Sequence, residues 1–501
     1  MDAVWRGAAE SSWAILPGQS LAGHNLGRRR CYLSTTFMND SREMRRSTLA
    51  TLAERLAAAD PRVARLLRNA TWLVSGNALG ALFGFLQAVV LGRALGVEGY
   101  GLLAVVMALV TTVNQIVDVR MWETVTKFVG DDLERGDHGR ARAMIKLAYL
   151  VDGATGILAF ALVLLLAPWL AERFLHHRDA ATEVSLFAGT LLMATVNDTS
   201  MALLRVFDRF RWLTFDRVAS SAVRFAALAS VAIATKRLQP VLAAYVAVEL
   251  GRGAVLLWLG LRAARAELRG PGPDHLGLVR TRLREFWHFT VNNSATALLG
   301  LITRQIDILI LTVFHLPREV GLYRMAKNFG LLIFKLSDPF YHAIYPELVR
   351  LSVTGVAADL RRFIVRSMRI ILALVLPAGA ACLLGADFVL ARLVGPEFTA
   401  AAWPLRFVVA GSLFHAAFLW ARPLVLATGR PHWSTAAHLG GVVVLGIGSW
   451  ALVPGLGALG SAITFAATSL VTVAIHAWGA LRVPALRAVT TTRAVPDGPG
   501  N

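Results

Sequence analysis

Runs of about twenty apolar residues recur along this chain and constrain its fold more than any other feature. A bilayer core roughly 30 Å thick is crossed by about 20 helical residues. Twelve such runs lie near residues 70–92, 99–119, 143–169, 184–204, 215–235, 239–262, 287–314, 319–344, 364–385, 400–424, 431–452 and 457–479. Their sequences do not show the period-two alternation of an outer-membrane barrel. We therefore predict an all-α, multi-pass membrane protein with about twelve transmembrane helices.

The charge distribution indicates how the chain is oriented in the membrane. Only 17% of the 501 residues are charged, against about 25% in soluble domains. The net charge of +19 would suggest nucleic acid for a soluble protein. Here Lys and Arg concentrate in alternate loops and in the tails, which is the pattern of cytoplasmic segments. We expect both termini in the cytoplasm and no nucleic-acid partner.

The same pattern divides the chain into five parts. We predict a polar N-terminal tail (1–69), a six-helix lobe (70–262), a basic cytoplasmic linker (263–285), a second six-helix lobe (286–480) and a C-terminal tail (481–501). The start of the tail lacks the apolar core of a cleavable signal peptide. Residues 1–43 either precede the true start at Met44 or form a disordered, dispensable tail.

Short motifs repeat between the two predicted lobes. The dipeptide Gly101-Leu102 follows the turn of the first helical hairpin, and Gly321-Leu322 follows the corresponding hairpin turn in the second lobe. A second set matches at one constant spacing: Arg209, Trp212 and Thr214 with Arg430, Trp433 and Thr435. Both lobes begin on the same side of the membrane, so the repeat is parallel. Internal repeats of this kind are typical of transporters.

Several glycine-containing segments resemble a known family. The stretch Asn77–Gly101, the turn Glu319–Tyr323 and the segment Leu426–Arg430 are similar to Wzx-type flippases of the multidrug/oligosaccharidyl-lipid/polysaccharide (MOP) exporter superfamily. The resemblance covers about residues 70–480. It implies two six-helix lobes in a V around a central cavity.

The resemblance also implies a function and partners. Wzx-type flippases translocate undecaprenyl-pyrophosphate-linked oligosaccharides across the bacterial inner membrane by alternating access, in the biosynthesis of lipopolysaccharide and other polysaccharides. The expected partners are therefore a lipid-linked oligosaccharide, the membrane lipid and other polysaccharide-assembly proteins.

Polar residues within the apolar runs are candidates for the transport pathway. A charge at the bilayer centre costs about 2.5–3.5 kcal/mol, so such residues usually face a cavity. The helix at 319–344 carries a polar stripe at helical spacing: Arg324, Lys327, Asn328, Lys335, Asp338 and His342. Other helices contribute Asn77, Arg224, Glu249, Arg252, Arg304 and Asp307.

We assign two roles to these residues. A pyrophosphate requires cations and hydrogen-bond donors, so the substrate-binding candidates are Lys327, Lys335, Arg224, Arg324, Arg304 and Asn77. Carboxylates in the membrane can bind a proton or Na⁺, so the ion-coupling candidates are Asp338, Asp307 and Glu249.

Structural roles remain as alternatives for most of these groups. Charges three residues apart neutralise one another on a helix, as in the pairs Arg304–Asp307, Lys335–Asp338 and Glu249–Arg252. Arg324 and His342 would snorkel if they lie at helix ends, and Gly80 and Gly84 are typical of close helix packing. Arg224 and Lys327 have no partner within one helical turn.

Signatures of other functions are missing from the sequence. We find no Gly-rich nucleotide loop, no metal-ligand spacing and no nucleophile elbow, and two cysteines are too few for a disulfide framework. We therefore predict a transporter without a cofactor or metal, driven by an ion gradient or the membrane potential, and not an enzyme. The alternatives are another MOP-type transporter, such as a drug/cation antiporter or lipid II flippase, and a membrane enzyme such as a polysaccharide polymerase.

Overall fold

The described part of the chain is helical throughout. The structure, a computed structural model, describes residues 61–119, 121–176, 178–268, 276–354 and 357–482, and within these ranges it contains helices and connecting turns with no strand. The all-α prediction is confirmed. Most of the predicted N-terminal tail (1–60), part of the linker (269–275) and most of the C-terminal tail (483–501) lie outside the described residues.

The described residues of the first half of the chain form seven α-helices. They are α1 (Pro61–Val117), α2 (Met121–Glu134), α3 (His138–Leu170), α4 (Ala181–Ala188), α5 (Leu191–Val206), α6 (Phe210–Thr235) and α7 (Leu238–Glu267). A π-turn (Ala171–Leu175) and a 3₁₀ turn (Arg178–Ala180) follow α3. The helix α2 occupies a stretch that we predicted to be a cytoplasmic loop.

Within the described part of the second half there are seven further α-helices. They are α8 (Leu283–Phe314), α9 (Pro317–Thr354), α10 (Ala357–Leu384), α11 (Ala386–Leu393), α12 (Ala402–Ala417), α13 (Ala421–Ala427) and α14 (His432–Leu481). A 3₁₀ turn (Leu276–Arg282) precedes α8, and another (Pro396–Ala401) precedes α12.

Two predicted helical hairpins are continuous except at one glycine each. In α1 the backbone turns at Gly96, with φ 70°, and in α14 at Gly457, with φ 53°. These left-handed conformations favour glycine, since a Cβ would clash. At each turn a glutamate accepts a hydrogen bond from the next helix: Glu397 from the Val97 amide at 3.5 Å and Glu319 from the Ala458 amide at 2.8 Å. The predicted boundaries near these two glycines are therefore correct.

One predicted helix, at 184–204, is interrupted. Its two parts are α4 and α5, which separate at Gly189 and Thr190. There the amides of both residues bond three residues back, at 3.2 Å and 3.0 Å, and the Thr190 hydroxyl donates to the Phe187 carbonyl at 2.8 Å. This tighter hydrogen-bond pattern ends the regular α-helix. The predicted helix at 400–424 is interrupted in the same way between α12 and α13.

The outer surface is that of a membrane protein. Seven helical segments of the described residues are long and apolar enough to cross a bilayer, while the total of twelve crossings remains a prediction. Large apolar side chains are strongly exposed, as at Leu165 (78%) and Trp450 (77%). Soluble monomers rarely expose extended apolar patches, so these side chains face lipid.

The predicted sequence repeat coincides with a repeated structural contact. Arg209, just before α6, makes an ion pair with Glu267 at the end of α7, at 2.8 Å. Its sequence counterpart Arg430, before α14, donates to the Arg482 carbonyl at the end of α14, at 3.0 Å. Each arginine therefore links the start of a helical hairpin to its end, since α14 is itself a hairpin that turns at Gly457.

Candidate functional site: a cationic central cavity

A cavity of about 360 Å³ lies between α1, α6 and α9. We call it the central cavity. Its lining residues are Asn77, Gly80, Ala81, Gly84, Phe85, Arg217, Ser221, Arg224, Asn328, Leu331, Leu332 and Lys335. The helices that form it come from both halves of the sequence, as the resemblance to two-lobed exporters implies.

Small residues of α1 shape one wall of this cavity. A Cβ at Gly76 would lie 3.0 Å from Thr214 of α6, and a Cβ at Gly80 would lie 3.3 Å from the Ser221 hydroxyl. These glycines allow close packing of α1 on α6. At Gly84 a Cβ would meet nothing within 4 Å. The packing interpretation therefore holds for Gly80 but is wrong for Gly84, which opens into the cavity.

The described charged side chains of the cavity are all cationic. Arg217, Arg224 and Lys335 line the central cavity. A smaller pocket of about 90 Å³ shares Gly84 and Asn328 with it and adds Arg324. Among the described residues that line either space there is no Asp or Glu. Four of the six predicted substrate-binding residues are thus brought together: Asn77, Arg224, Arg324 and Lys335.

Arg224 has a partner on the next helix. Its guanidinium donates to Glu249 Oε1 of α7 at 2.5 Å. The other carboxylate oxygen of Glu249 lies 3.5 Å from Arg252, so the predicted pair within α7 exists. Arg252 also binds Asp216 of α6 through two bonds, at 3.2 Å and 2.9 Å. This chain of charges holds Arg224 at the cavity wall and fixes the ion-coupling candidate Glu249 between two arginines.

Lys327 lies outside the cavity, which corrects the interpretation of the polar stripe. It is 7% exposed, and its ammonium donates to Asp307 Oδ2 of α8 at 2.6 Å. The Tyr323 hydroxyl donates to the same oxygen at 2.5 Å. Spacing within one helix could not reveal this partner, because it comes from the preceding helix. A substrate role for Lys327 stays a prediction that its burial does not favour.

Two predicted site residues cannot be placed. The backbone at Arg304 and at Asp338 is helical, but both side chains lie outside the described residues, as does that of His342. The predicted pairs Arg304–Asp307 and Lys335–Asp338 therefore stay predictions. Asp307 is described, and its carboxylate accepts hydrogen bonds from Lys327, from Tyr323 and from the Ile308 backbone amide.

Arg217 is not among the site residues predicted from the sequence. This residue lines the central cavity one turn before Ser221 and two turns before Arg224. Residues four and seven positions apart share a helix face. The same spacing that identified the stripe on α9 would therefore have found Arg217, had it been applied to the start of α6.

A tight helix crossing lies beside the smaller pocket, since Gly101 is flanked by Tyr100 and Leu103, which line that pocket. A Cβ at Gly101 would overlap the Pro317 carbonyl and lie 3.0 Å from the Gly321 amide nitrogen. A Cβ at Gly321 would overlap the Val97 carbonyl and lie 3.3 Å from the Gly101 Cα. The Asn328 side chain also donates to the Tyr100 hydroxyl at 2.6 Å. We call the crossing of Gly101 and Gly321 the glycine crossing.

Comparison with known proteins identifies the family. Residues 66–352 match the family described as polysaccharide biosynthesis protein. The chain belongs to this family. It is also 24% identical over 152 residues to the inner membrane protein YghQ of Escherichia coli (strain K12). That match covers 30% of this chain and 42% of the relative.

Solved structures show the same fold. A multidrug resistance MATE family transporter of the MOP superfamily, in an inward-facing conformation, aligns with a TM-score of 0.61 and 14% identity over 83% of this chain and 96% of that one. The lipid II flippase MurJ, in an inward closed conformation, aligns with a TM-score of 0.59 and 10% identity over 85% and 94%. The MOP exporter fold and the Wzx-type resemblance are thereby confirmed. The chain is a multi-pass membrane protein of the polysaccharide biosynthesis family with the fold of these transporters.

Proposed function

We propose that the chain translocates undecaprenyl-pyrophosphate-linked oligosaccharide units from the cytoplasmic to the outer leaflet of the bacterial inner membrane. The observation that carries this proposal is the central cavity, whose described charged lining residues are the cations Arg217, Arg224 and Lys335. Arg324 adds a fourth in the adjoining pocket. A pyrophosphate is the anionic part of such a lipid, and guanidinium and ammonium groups bind phosphate through charge-assisted hydrogen bonds.

The geometry favours an anion over the cationic substrate of a drug/cation antiporter. Arg224 is neutralised by Glu249, but Arg217, Arg324 and Lys335 make no ion pair with any described residue. A cationic drug in this space would face uncompensated like charges. The lipid II flippase alternative remains, because lipid II carries the same pyrophosphate, and the family match to polysaccharide biosynthesis favours the oligosaccharide.

Transport then follows from alternating access between two lobes. We propose that residues 70–262 and 286–480 form the lobes, that 263–285 links them, and that both termini lie in the cytoplasm. With this topology, α1 and α6 run outward from Asn77 and Arg217, so the central cavity opens toward the cytoplasm. The glycine crossing then lies at the outer end.

A reconstituted flipping assay tests the proposal. The full chain in proteoliposomes receives fluorescent undecaprenyl-pyrophosphate oligosaccharide, and translocated lipid is measured by its accessibility to a membrane-impermeant quencher. Each lost cation should weaken binding by about 1.5–3 kcal/mol, or roughly ten- to a hundredfold. Lys335→Ala and Arg217→Ala should both impair flipping, and Lys335→Arg should retain part of it.

The matched control removes a cation elsewhere on the same helix pair. Lys236→Ala deletes an exposed charge in the turn between α6 and α7 and should leave flipping unchanged. The proposal would be contradicted if the wild-type protein flipped the oligosaccharide lipid no faster than a lipid without the pyrophosphate. Faster flipping of lipid II than of the oligosaccharide would favour the alternative.

A further inference from the structure

A second cavity of about 820 Å³ is separate from the central cavity. Residues of α5, of the start of α6 and of the second half of α7 form it, and it shares no lining residue with the central cavity. Its lining includes three arginines, two tryptophans and several apolar residues: Arg209, Arg262, Arg265, Trp212, Trp258, Ala254, Leu257 and Leu261. We call this cavity the arginine groove.

The groove changes from apolar to cationic along α7. Its lining runs from Ala254 through Leu257 and Leu261 to Arg262 and Arg265. With a rise of 1.5 Å per residue, Ala254 and Arg265 are about 16 Å apart along the helix axis. That distance is close to the thickness of one leaflet, about half of the roughly 30 Å hydrocarbon core. The groove therefore spans one leaflet, with its cations at the water-facing end.

Two tryptophans near the cationic end of the groove indicate that this end lies at the membrane interface. Trp212 and Trp258 line the groove and are 44% and 56% exposed. Tryptophan side chains are enriched at the level of lipid headgroups. The Arg262 guanidinium lies 5.1 Å from the centre of the Trp258 ring, which holds its charge at this level.

The charge at the groove mouth is not balanced. Arg209 is paired with Glu267 at 2.8 Å. Arg262 and Arg265 also line the groove, and neither makes an ion pair with a described residue. Arginines that only snorkel to the interface need no concave site. Arg262 and Arg265, in contrast, border a cavity with an apolar floor.

We propose that the arginine groove binds an anionic phospholipid of the surrounding bilayer, with its phosphate at Arg262 and Arg265 and an acyl chain along Leu257 and Leu261. Basic pockets between transmembrane helices are known to hold anionic headgroups on the cytoplasmic side, and the predicted topology places this end of α7 there. The apolar half identifies the occupant as a lipid, because a free phosphate would use only the arginines.

Lipid binding to the purified full-length chain tests this proposal. Binding of phosphatidylglycerol and of phosphatidylcholine is measured in mild detergent by native mass spectrometry. An arginine near an anionic headgroup contributes about fivefold in affinity. The double variant Arg262→Gln, Arg265→Gln should therefore bind phosphatidylglycerol about 25-fold more weakly. Phosphatidylcholine binding should change little.

The control removes two charges from the other end of α7. The double variant Lys236→Gln, Arg237→Gln changes exposed residues just before α7 and should bind phosphatidylglycerol like the wild type. Equal loss in both double variants would overturn the proposal. Wild-type binding of phosphatidylcholine as tight as that of phosphatidylglycerol would also overturn it, as would glycerol 3-phosphate binding as tightly as the intact lipid. The wild-type comparisons decide the matter even if the arginine variant does not fold.

Discussion

The glycine crossing gives the sharpest prediction about the transport cycle. Alanine at Gly101 would place its Cβ on the backbone of Pro317, including the carbonyl carbon at 2.6 Å. The obstacle is backbone and not a flexible side chain, so it can be relieved only if α1 and α9 separate. We therefore expect Gly101→Ala to disfavour the state in which the predicted outer end of the cavity is closed.

The size of the effect follows from the cost of overpacking. Extra methyl groups in a well-packed contact cost about 1–3 kcal/mol. If only the closed state makes this contact, the full cost shifts the equilibrium toward the open state. A shift of 1.4 kcal/mol is a tenfold change in population, so the open state should gain about five- to 150-fold. Gly321→Ala should act in the same direction, because its Cβ would meet Val97 and Gly101.

Distance measurements between spin labels can detect this shift. Labels at Arg173, in the turn after α3, and at Leu384, the last residue of α10, would report separation of the two halves at the predicted outer side. Cys31 and Cys382 must first be replaced, since they are the two native cysteines. The expected result is a longer-distance population that is weak in the parent protein and strong in Gly101→Ala.

A helical glycine in open space provides the control. A Cβ at Gly446, in the middle of the first part of α14, would meet nothing within 4 Å. Gly446→Ala should leave both the distances and flipping unchanged. A Gly101→Ala protein that is monodisperse, unchanged in its distance distribution and fully active would refute the reasoning.

Three other predictions follow from the ion pairs and the topology. Lys327→Ala leaves Asp307 buried without its cation and should lower the free energy of unfolding by about 3–5 kcal/mol; replacing the pair by Lys327→Met with Asp307→Leu should recover much of it in a thermal-unfolding assay in detergent. Arg282→Ala removes the 2.9 Å partner of the fully buried Asp132 and should cost about 1–3 kcal/mol in the same assay. A cysteine at position 272 should be labelled from the cytoplasmic side only; labelling from outside in intact cells would disprove the orientation.

Much of the fold could be predicted because each membrane helix is specified locally. The length and apolar character of a run such as 143–169 depend only on the bilayer thickness, and α3 appears there at His138–Leu170. The turn glycines Gly96 and Gly457 also lie at predicted boundaries, since their left-handed φ angles are a local demand on the backbone. Breaks inside a run, such as the one at Gly189, are less visible because the composition does not change there.

The candidate site could be predicted only in part. The polar stripe on α9 correctly indicated that Arg324, Asn328 and Lys335 leave the lipid phase, and all three line the cavity or the adjoining pocket. Lys327 belongs to the same stripe, yet it turns to Asp307 on the neighbouring helix. A stripe at helical spacing covers a wide arc, and the sequence does not say which edge of that arc meets another helix.

The sequence by itself determined the all-helical membrane fold, the short motifs that recur in both halves and the excess of cations within the apolar runs, because these follow from hydropathy and spacing along one segment at a time. Only the tertiary structure decided which charges face the cavity and which neutralise one another. The partners of Arg224 and Lys327 lie 25 and 20 residues away in the sequence, and the two glycines of the crossing come from opposite halves of the chain. Contacts between helices depend on how those helices pack, and no periodicity within a single helix encodes its neighbour.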